Sequence, residues 1–274
     1  MTAAYFHRIF YGIENTDRSL IALSDYTSFT TPMPNFSNDP TLVGVLDPNE
    51  ILTVYNLNSA KRSVYGAALI DKNTDDQSIY DAIEVSFSAR MPRTTLFGGW
   101  TMEKNNSVFC SSDDNPNGVT TSDLYMGWTV SRGGRFCDMQ QYDVPFLHQF
   151  KLSGSYTLPW SIDFGAVVQS YPGGERTVTW QPPASLFPGG RTNTETVRLT
   201  EPGSVYQERY NQVDINFKKN FRSGTKRYSI QFQIFNVLND NAIFATNDSI
   251  GSSLGQVTTI LMGRLPRLAF QFQW

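Results

Sequence analysis

The residues that could carry out chemistry in this chain are few, and their spacing builds no catalytic motif. His7 and His148 are the only histidines, and they lie about 140 residues apart. Nucleophilic catalysis needs a base positioned beside its nucleophile, and no serine or cysteine of this sequence sits in a motif of that kind. We therefore expect no enzyme activity, no catalytic residue and no cofactor.

The two cysteines, Cys110 and Cys137, both lie in a stretch rich in Gly, Asn, Asp and Ser. Two cysteines without neighbouring histidines do not complete a zinc shell, so no metal site is expected. The residues alone leave two interpretations open. The cysteines are free thiols in a reducing compartment, or they form one disulfide that closes a long exposed loop in an oxidising compartment.

Carboxylates and aromatic side chains are concentrated between the regularly patterned segments. The carboxylates, at 71–76, 113–114 and 240–248, match no calcium-binding loop, and we expect them to be solvated. The aromatic side chains could stack on a ligand or pack against their own loops. The five candidates for ligand contact are Tyr125, Trp128, Tyr171, Trp180 and Phe187.

The composition is unusual for a soluble protein. Charged residues make up 17% of the 274 residues, against roughly 25% in a typical soluble domain, and aromatic residues make up 14%. The net charge of -3 argues against nucleic-acid binding. No apolar run is long enough for a transmembrane helix, and MTAAYFHRIFYGIENT at the N-terminus lacks the pattern of a signal peptide.

Apolar and polar residues alternate with period two wherever a pattern exists, which predicts about eight long β-strands. The pattern is clear at 79–89, 148–158, 162–168, 213–217, 228–234 and 268–274, and weaker at about 3–13 and 94–104. Asp81 is an exception on an otherwise apolar face. The polar face is expected to carry Gln149, Lys151, Asp163, Gln212, Asp214, Asn216, Lys218, Gln231 and Gln233.

The connections between these strands alternate in length. Three are short, near 91–93, 158–160 and 221–225, and four are long, at about 14–76, 105–145, 172–209 and 239–264. This layout is typical of an outer-membrane β-barrel with short periplasmic turns, long external loops and aromatic girdles, here Tyr156, Trp160, Tyr228 and Trp274. A soluble carbohydrate-binding β-sandwich and an independent eight-stranded barrel are the alternatives.

Several segments resemble a known family of outer-membrane transporters. RYNQVDINFKKNFRSGTKRYSIQFQIFNVLNDNAIF at 209–244 and ILMGRLPRLAFQFQW at 260–274 resemble the closing strands of TonB-dependent receptors. PFLHQFKLSGSYTLPWSIDFGAVVQSYPG at 145–173, YDAIEVSFSARMP at 80–92 and the paired-cysteine loop before Pro145 are similar to Oar-like receptors. The resemblance covers about 77–274.

The resemblance implies that residues 1–274 form one unit, the C-terminal part of a transmembrane β-barrel in a Gram-negative-type outer membrane. The family's signal peptide and plug domain have no counterpart in this sequence. The implied function is ligand capture and lining of an uptake barrel. Implied partners are the lipid bilayer, lipopolysaccharide, the barrel assembly machinery, a plug domain and TonB through other parts of the receptor, and an unidentified small-molecule or oligosaccharide ligand.

Two site predictions follow from the resemblance. The terminal strand, with Leu268, Phe270, Phe272 and Trp274, would serve as the sorting signal for barrel assembly. An external loop lies in an oxidising compartment, so we expect a disulfide between Cys110 and Cys137. Closing a loop of this length stabilises the fold by about 3–4 kcal/mol in the loop-entropy treatment.

Overall fold

The computed structural model describes residues 1–66, 69–111, 115–122 and 129–273. Within these ranges the chain is built of strands joined by turns and short 3-10 helices. No helix in this part of the chain is long and apolar enough to cross a membrane. The 3-10 helices are Leu23–Asp25, Pro40–Leu42, Ser59–Val64, Met139–Gln141, Pro159–Ser161 and Ala184–Leu186.

The described residues form strands of two very different lengths, numbered here in chain order. The long strands are β1 (Thr2–Phe10), β6 (Gln77–Met91), β7 (Thr94–Val108), β10 (Leu147–Leu158), β11 (Ile162–Tyr171), β14 (Tyr210–Ser223), β15 (Lys226–Phe235) and β18 (Leu265–Gln273). The short strands are β2 (Glu14–Arg18), β3 (Tyr26–Pro32), β4 (Ile51–Leu57), β5 (Leu69–Asn73), β8 (Val119–Ser122), β9 (Thr129–Arg132), β12 (Thr179–Trp180), β13 (Val197–Arg198), β16 (Ile243–Thr246) and β17 (Val257–Ile260).

The eight long strands form one antiparallel sheet in the order β1-β6-β7-β10-β11-β14-β15-β18. This confirms the predicted all-β fold with a large antiparallel sheet. Each long strand pairs with the next long strand in the chain, so the three short turns all lie at one end of the strands. The four long connections all lie at the opposite end.

The sheet is open. In the described part of the chain, β1 pairs with β6 alone and β18 pairs with β15 alone. β1 and β18 are therefore the two edge strands of the sheet. A closed eight-stranded barrel would pair β1 with β18. The eight predicted long strands are therefore observed as a sheet with two edge strands, and the described residues do not form a closed barrel.

The strand register separates the sheet into an apolar face and a polar face. On the apolar face Tyr156 lies opposite Phe164, Phe164 opposite Phe217, and Phe217 opposite Phe232. Phe232 in turn lies opposite Leu268, so one apolar row crosses five strands. Because successive side chains in a strand point to opposite faces, the intervening residues form the polar face.

The apolar face is exposed, which is the reverse of an ordinary soluble sheet. Leu268 is 74% exposed, Phe270 67% and Phe217 40%. A contiguous exposed apolar surface marks a site of interaction. The other exposed residues on this face are Tyr5, Ile83, Met91, Phe150, Tyr156, Phe221, Ile230, Phe232 and Phe272.

The buried core lies instead in the long connections, residues 11–76, 109–146, 172–209 and 236–264, which we call the cap. Sequence patterns predicted these stretches as loops, but they contain five two-stranded sheets: β2–β5, β3–β4, β8–β9, β12–β13 and β16–β17. The first, third and fourth connections share one apolar cluster. Its buried members are Met33, Phe36, Leu42, Leu46, Leu52, Val54, Val178, Trp180, Phe187, Val197, Leu199 and Leu254.

Candidate functional site

The nine residues predicted on one polar face all lie on the polar face of the sheet. Lys218 is opposite both Asp163 and Gln231, and Asn216 is opposite Gln233. Hydrogen bonds join many of these side chains: the Gln231 amide donates to Asn216 Oδ1 at 2.8 Å, and Asp163 accepts from Thr157 at 3.0 Å. The face is therefore a hydrogen-bonded polar surface. Its predicted members are Gln149, Lys151, Asp163, Gln212, Asp214, Asn216, Lys218, Gln231 and Gln233.

A cleft of about 340 Å³ lies where the polar face meets the cap. Glu103, Gln149, Tyr171, Glu175 and Tyr206 are among its lining residues. The Gln149 amide donates to Glu103, and Glu175 accepts a hydrogen bond from a buried arginine at 2.7 Å. Burial raises the pKa of Tyr206 further above neutral pH, and the protonated phenol can donate a hydrogen bond into the cleft.

A row of aromatic rings extends from this cleft along the cap end of the strands. Tyr171 stacks on Tyr210 with ring centroids 5.3 Å apart, and Tyr210 meets Phe244 edge-on at 5.0 Å. Of the five aromatic residues predicted to contact a ligand, Tyr171 alone lines the cleft among those the structure describes. A flat ring beside carboxylate and amide oxygens can contact a ligand through both apolar and polar groups.

The other predicted ligand-contact aromatics are placed differently. Trp180 is 7% exposed and Phe187 4% exposed, and both belong to the apolar cluster of the cap. Phe187 meets Phe29 edge-on at 5.0 Å. These two side chains pack the cap and have little surface left for a ligand. Tyr125 and Trp128 lie outside the described residues.

A buried ion-pair network joins three of the four long connections. The Arg176 guanidinium donates to Asp39 Oδ2 and Asp248 Oδ1, each at 2.6 Å, and to Thr41 Oγ1 at 2.7 Å. The side chains of Arg176 and Asp39 are only 4% and 5% exposed. Burial opposes the ionisation of Asp39, but hydrogen bonds from Thr41 and Arg176 outweigh it and lower the pKa of this carboxyl.

A second buried link runs through Asn117. Its amide nitrogen donates to Glu195 Oε2 at 2.8 Å and to the Tyr55 carbonyl at 2.8 Å, and its oxygen accepts from the Tyr55 N–H at 2.9 Å. Burial raises the pKa of Glu195. Asn117 therefore joins three of the long connections, and together with the network around Arg176 it links described residues of all four.

The structure joins Cys110 and Cys137 by a disulfide, and free cysteines are absent from the described residues. The bridge ties the end of β7 to the segment before the helix Met139–Gln141. Both cysteines line a cavity of about 540 Å³ in the cap, with Glu50, Ile51 and Arg135. The disulfide therefore forms part of a cavity wall.

The histidines stand at the cap end of the apolar face. His7 forms a hydrogen bond of 2.7 Å with Asp81, which also accepts from the Tyr5 hydroxyl at 3.0 Å. Asp81, the exception in the sequence pattern, thus has polar partners on the neighbouring strand. His148 stacks on Trp100 with centroids 5.7 Å apart. Among the described residues, no group of three His, Cys, Asp or Glu side chains is arranged to hold a metal ion.

The predicted terminal signal lies on the last strand of the sheet. Leu268, Phe270 and Phe272 all point to the apolar face and are exposed. Phe272 stacks on Tyr228 with centroids 5.0 Å apart. Trp274 lies outside the described residues.

Sequence reasoning missed the polar residues that hold the cap together, Arg176 and Asn117 above all. A buried arginine between two aspartates has no local signature, because its partners are 72 and 137 residues away in the chain. For Asn117 the one available signal was the Asn-Pro-Asn-Gly run at 115–118, which marks a turn but not its partners.

A scan of protein-family models finds no match to this chain, and a search of curated proteins finds no similar sequence.

Proposed function

We propose that this chain forms part of the wall of an outer-membrane transport barrel, with the cap on the external side. Its role is to capture a ligand in the cap and to line the uptake path with the polar face, without catalysis. The family that the sequence resembles, Oar-like TonB-dependent receptors, provides the whole-receptor setting. There a plug and TonB act through other parts of the receptor.

The observation that carries this proposal is the reversed burial of the sheet. Phe217, Phe232 and Leu268 form one exposed row, while the buried core lies in the cap. Exposing such a surface to water is costly at about 25 cal/mol per Å². Contact with lipid tails removes that cost, and outer-membrane strands carry apolar residues outward and polar residues inward.

The dimensions of the apolar face support a lipid contact. On β6 the band runs from Ile83 to Met91, about 27 Å of strand at about 3.4 Å per residue. A strand tilt of about 40° reduces this to about 20 Å, close to the roughly 25 Å band of outer-membrane barrels. Polar residues begin at the cap end with Asp81, and Trp160, 79% exposed, marks the turn end as an interfacial aromatic would.

The open ends of the sheet favour a larger barrel over the alternatives. β1 and β18 each have one neighbouring strand in the described part of the chain, which fits a wall continued by further strands of the same receptor. An independent eight-stranded barrel would join these two strands. A soluble sandwich would cover the apolar face with a second sheet, whereas Phe217, Leu268 and Phe270 on that face are exposed.

Fractionation of cells that produce this protein tests the proposal. We expect the chain in the outer-membrane fraction, released by detergent and retained after washes with salt or carbonate. Recovery in the soluble fraction without detergent would overturn the proposal. The same preparation shows whether lipopolysaccharide and the barrel assembly machinery accompany the protein.

A further inference from the structure

One edge of strand β4 (Ile51–Leu57) in the cap offers unused main-chain hydrogen-bonding groups. Its other edge pairs with β3, and the Met33 N–H donates to the Glu50 carbonyl at 2.9 Å. In an antiparallel pair, the N–H and C=O of alternate residues point to opposite edges. The residues at 50, 52, 54 and 56 therefore bond β3, and those at 51, 53 and 55 point away from it.

Asn117 supports this assignment and shows how the outer edge is used. Its side-chain amide bonds both the N–H and the C=O of Tyr55, as a residue of a neighbouring strand would. On the same edge, the main-chain groups of Ile51 and Thr53 have no hydrogen-bond partner among the described residues. Pro32 lies opposite Ile51, where the missing N–H of a proline costs no ladder bond.

The unused groups border the cavity beside the disulfide. Ile51, Thr53 and Tyr55 line this cavity of about 540 Å³, with the cysteine pair and the Gly133-Gly134 turn among its other residues. The size is within the range of natural ligand sites. Gly134, the second glycine of that pair, lies against the main chain of Asn117. This contact helps to position Asn117, whose side-chain amide occupies the edge of β4 at Tyr55.

The side chains of β4 leave this strand accessible. Leu52 and Val54 are buried in the cap core, at 2% and 0% exposure, while Ile51 is 61% exposed on the opposite face. An ion pair between Arg135 and Glu50 lies at the start of the strand and remains about one-third exposed. One face of β4 is thus packed against the cap core, and the main-chain groups of Ile51 and Thr53 remain available on its outer edge.

We propose that the cap captures an extended peptide segment, which adds to β4 as a third strand. The donors and acceptors of Ile51 and Thr53 alternate at the spacing of a β-ladder, so another extended main chain is the ligand chemistry that matches them. Recognition through main-chain groups tolerates varied side chains. The inference rests on the proposed external position of the cap and names peptide as the ligand class of the transport barrel.

The test uses the full chain in detergent micelles and a fluorescein-labelled peptide of alternating threonine and valine with lysine at each end. We expect binding, and protection of the Ile51 and Thr53 amides from hydrogen exchange when the peptide is present. The amides at 52 and 54 are already bonded to β3 and serve as internal controls. The same peptide with every amide N-methylated should not bind.

A variant pair tests the main-chain contact. Thr53→Pro removes the free N–H and should weaken peptide binding at least about tenfold, whereas Thr53→Ala keeps it and should bind within about threefold of the parent. If Thr53→Pro does not fold, the exchange measurement on the parent protein decides alone.

Three results would overturn the inference. They are absence of binding up to about 1 mM peptide, binding that leaves both amides unprotected, and protection of those amides by a cello-oligosaccharide in place of the peptide. None of them touches the membrane location of the sheet, which fractionation tests separately.

Discussion

Replacing Arg176 by methionine should loosen the cap strongly. The substitution keeps an unbranched side chain but removes the cation between Asp39 and Asp248, whose side chains are 5% and 20% exposed. Breaking a buried ion pair by removal of one partner costs about 3–5 kcal/mol, because a carboxylate is left buried without its counter-charge. At about 1.36 kcal/mol per factor of ten, this is a loss of roughly a hundredfold to several thousandfold in the equilibrium that closes the cap.

Hydrogen exchange with mass spectrometry measures that equilibrium segment by segment. Protection should fall by this factor in peptides from 29–54 and 176–199, and should not change in the long strands of the sheet. Arg62→Met, the same change at an exposed position of the cap, is the matched control. Adding Asp39→Asn to the Arg176→Met variant should restore part of the protection. Equal exchange in Arg176→Met and Arg62→Met would refute the reasoning.

Three further predictions concern the cap. Gly173→Ala should destabilise the cap by about 1–3 kcal/mol in a thermal or proteolysis assay, because the new methyl group collides with the main chain at Gln207, whereas Gly174→Ala has open space and should be neutral. Without reductant, intact mass should be two hydrogens below the reduced value and no thiol should alkylate; two freely alkylated cysteines would contradict the disulfide. The lowered pKa of Asp39 stabilises the cap at pH values above its unfolded pKa of about 3.9. That contribution is lost as pH falls through the lower folded pKa, so exchange protection should drop in acid and change less in Asp39→Asn.

The sheet was predictable from the sequence because its information is local. Alternation from Tyr228 to Ile234 and from Leu268 to Phe272 specifies strands and faces without knowledge of any partner. The three short turns follow directly, since β6 ends at Met91 and β7 begins at Thr94. The exception at Asp81 needed the structure, because its partners stand on the neighbouring strand.

The cap was not predictable in the same way. Its strands are as short as two residues, as in Thr179–Trp180, too short for a period to show. Its stability comes from contacts between distant segments, such as Arg176 with Asp39 and Asn117 with Tyr55. Trp180 was expected in a loop and packs in a core, because three connections together enclose a volume that none of them encloses alone.

The central claim is that the apolar face contacts lipid and the polar face contacts water. Ala166 and Val167 are neighbours on the central strand β11, the first opposite Gly154 and Ile215 and the second opposite Ser153 and Asp214. Single-cysteine variants at these positions accept a nitroxide label while the native disulfide stays intact. In bilayers, we predict that the label at 166 is relaxed mainly by dissolved oxygen and the label at 167 mainly by a water-soluble nickel complex. Equal accessibility of both labels to the nickel complex, or the reverse order, would contradict the account.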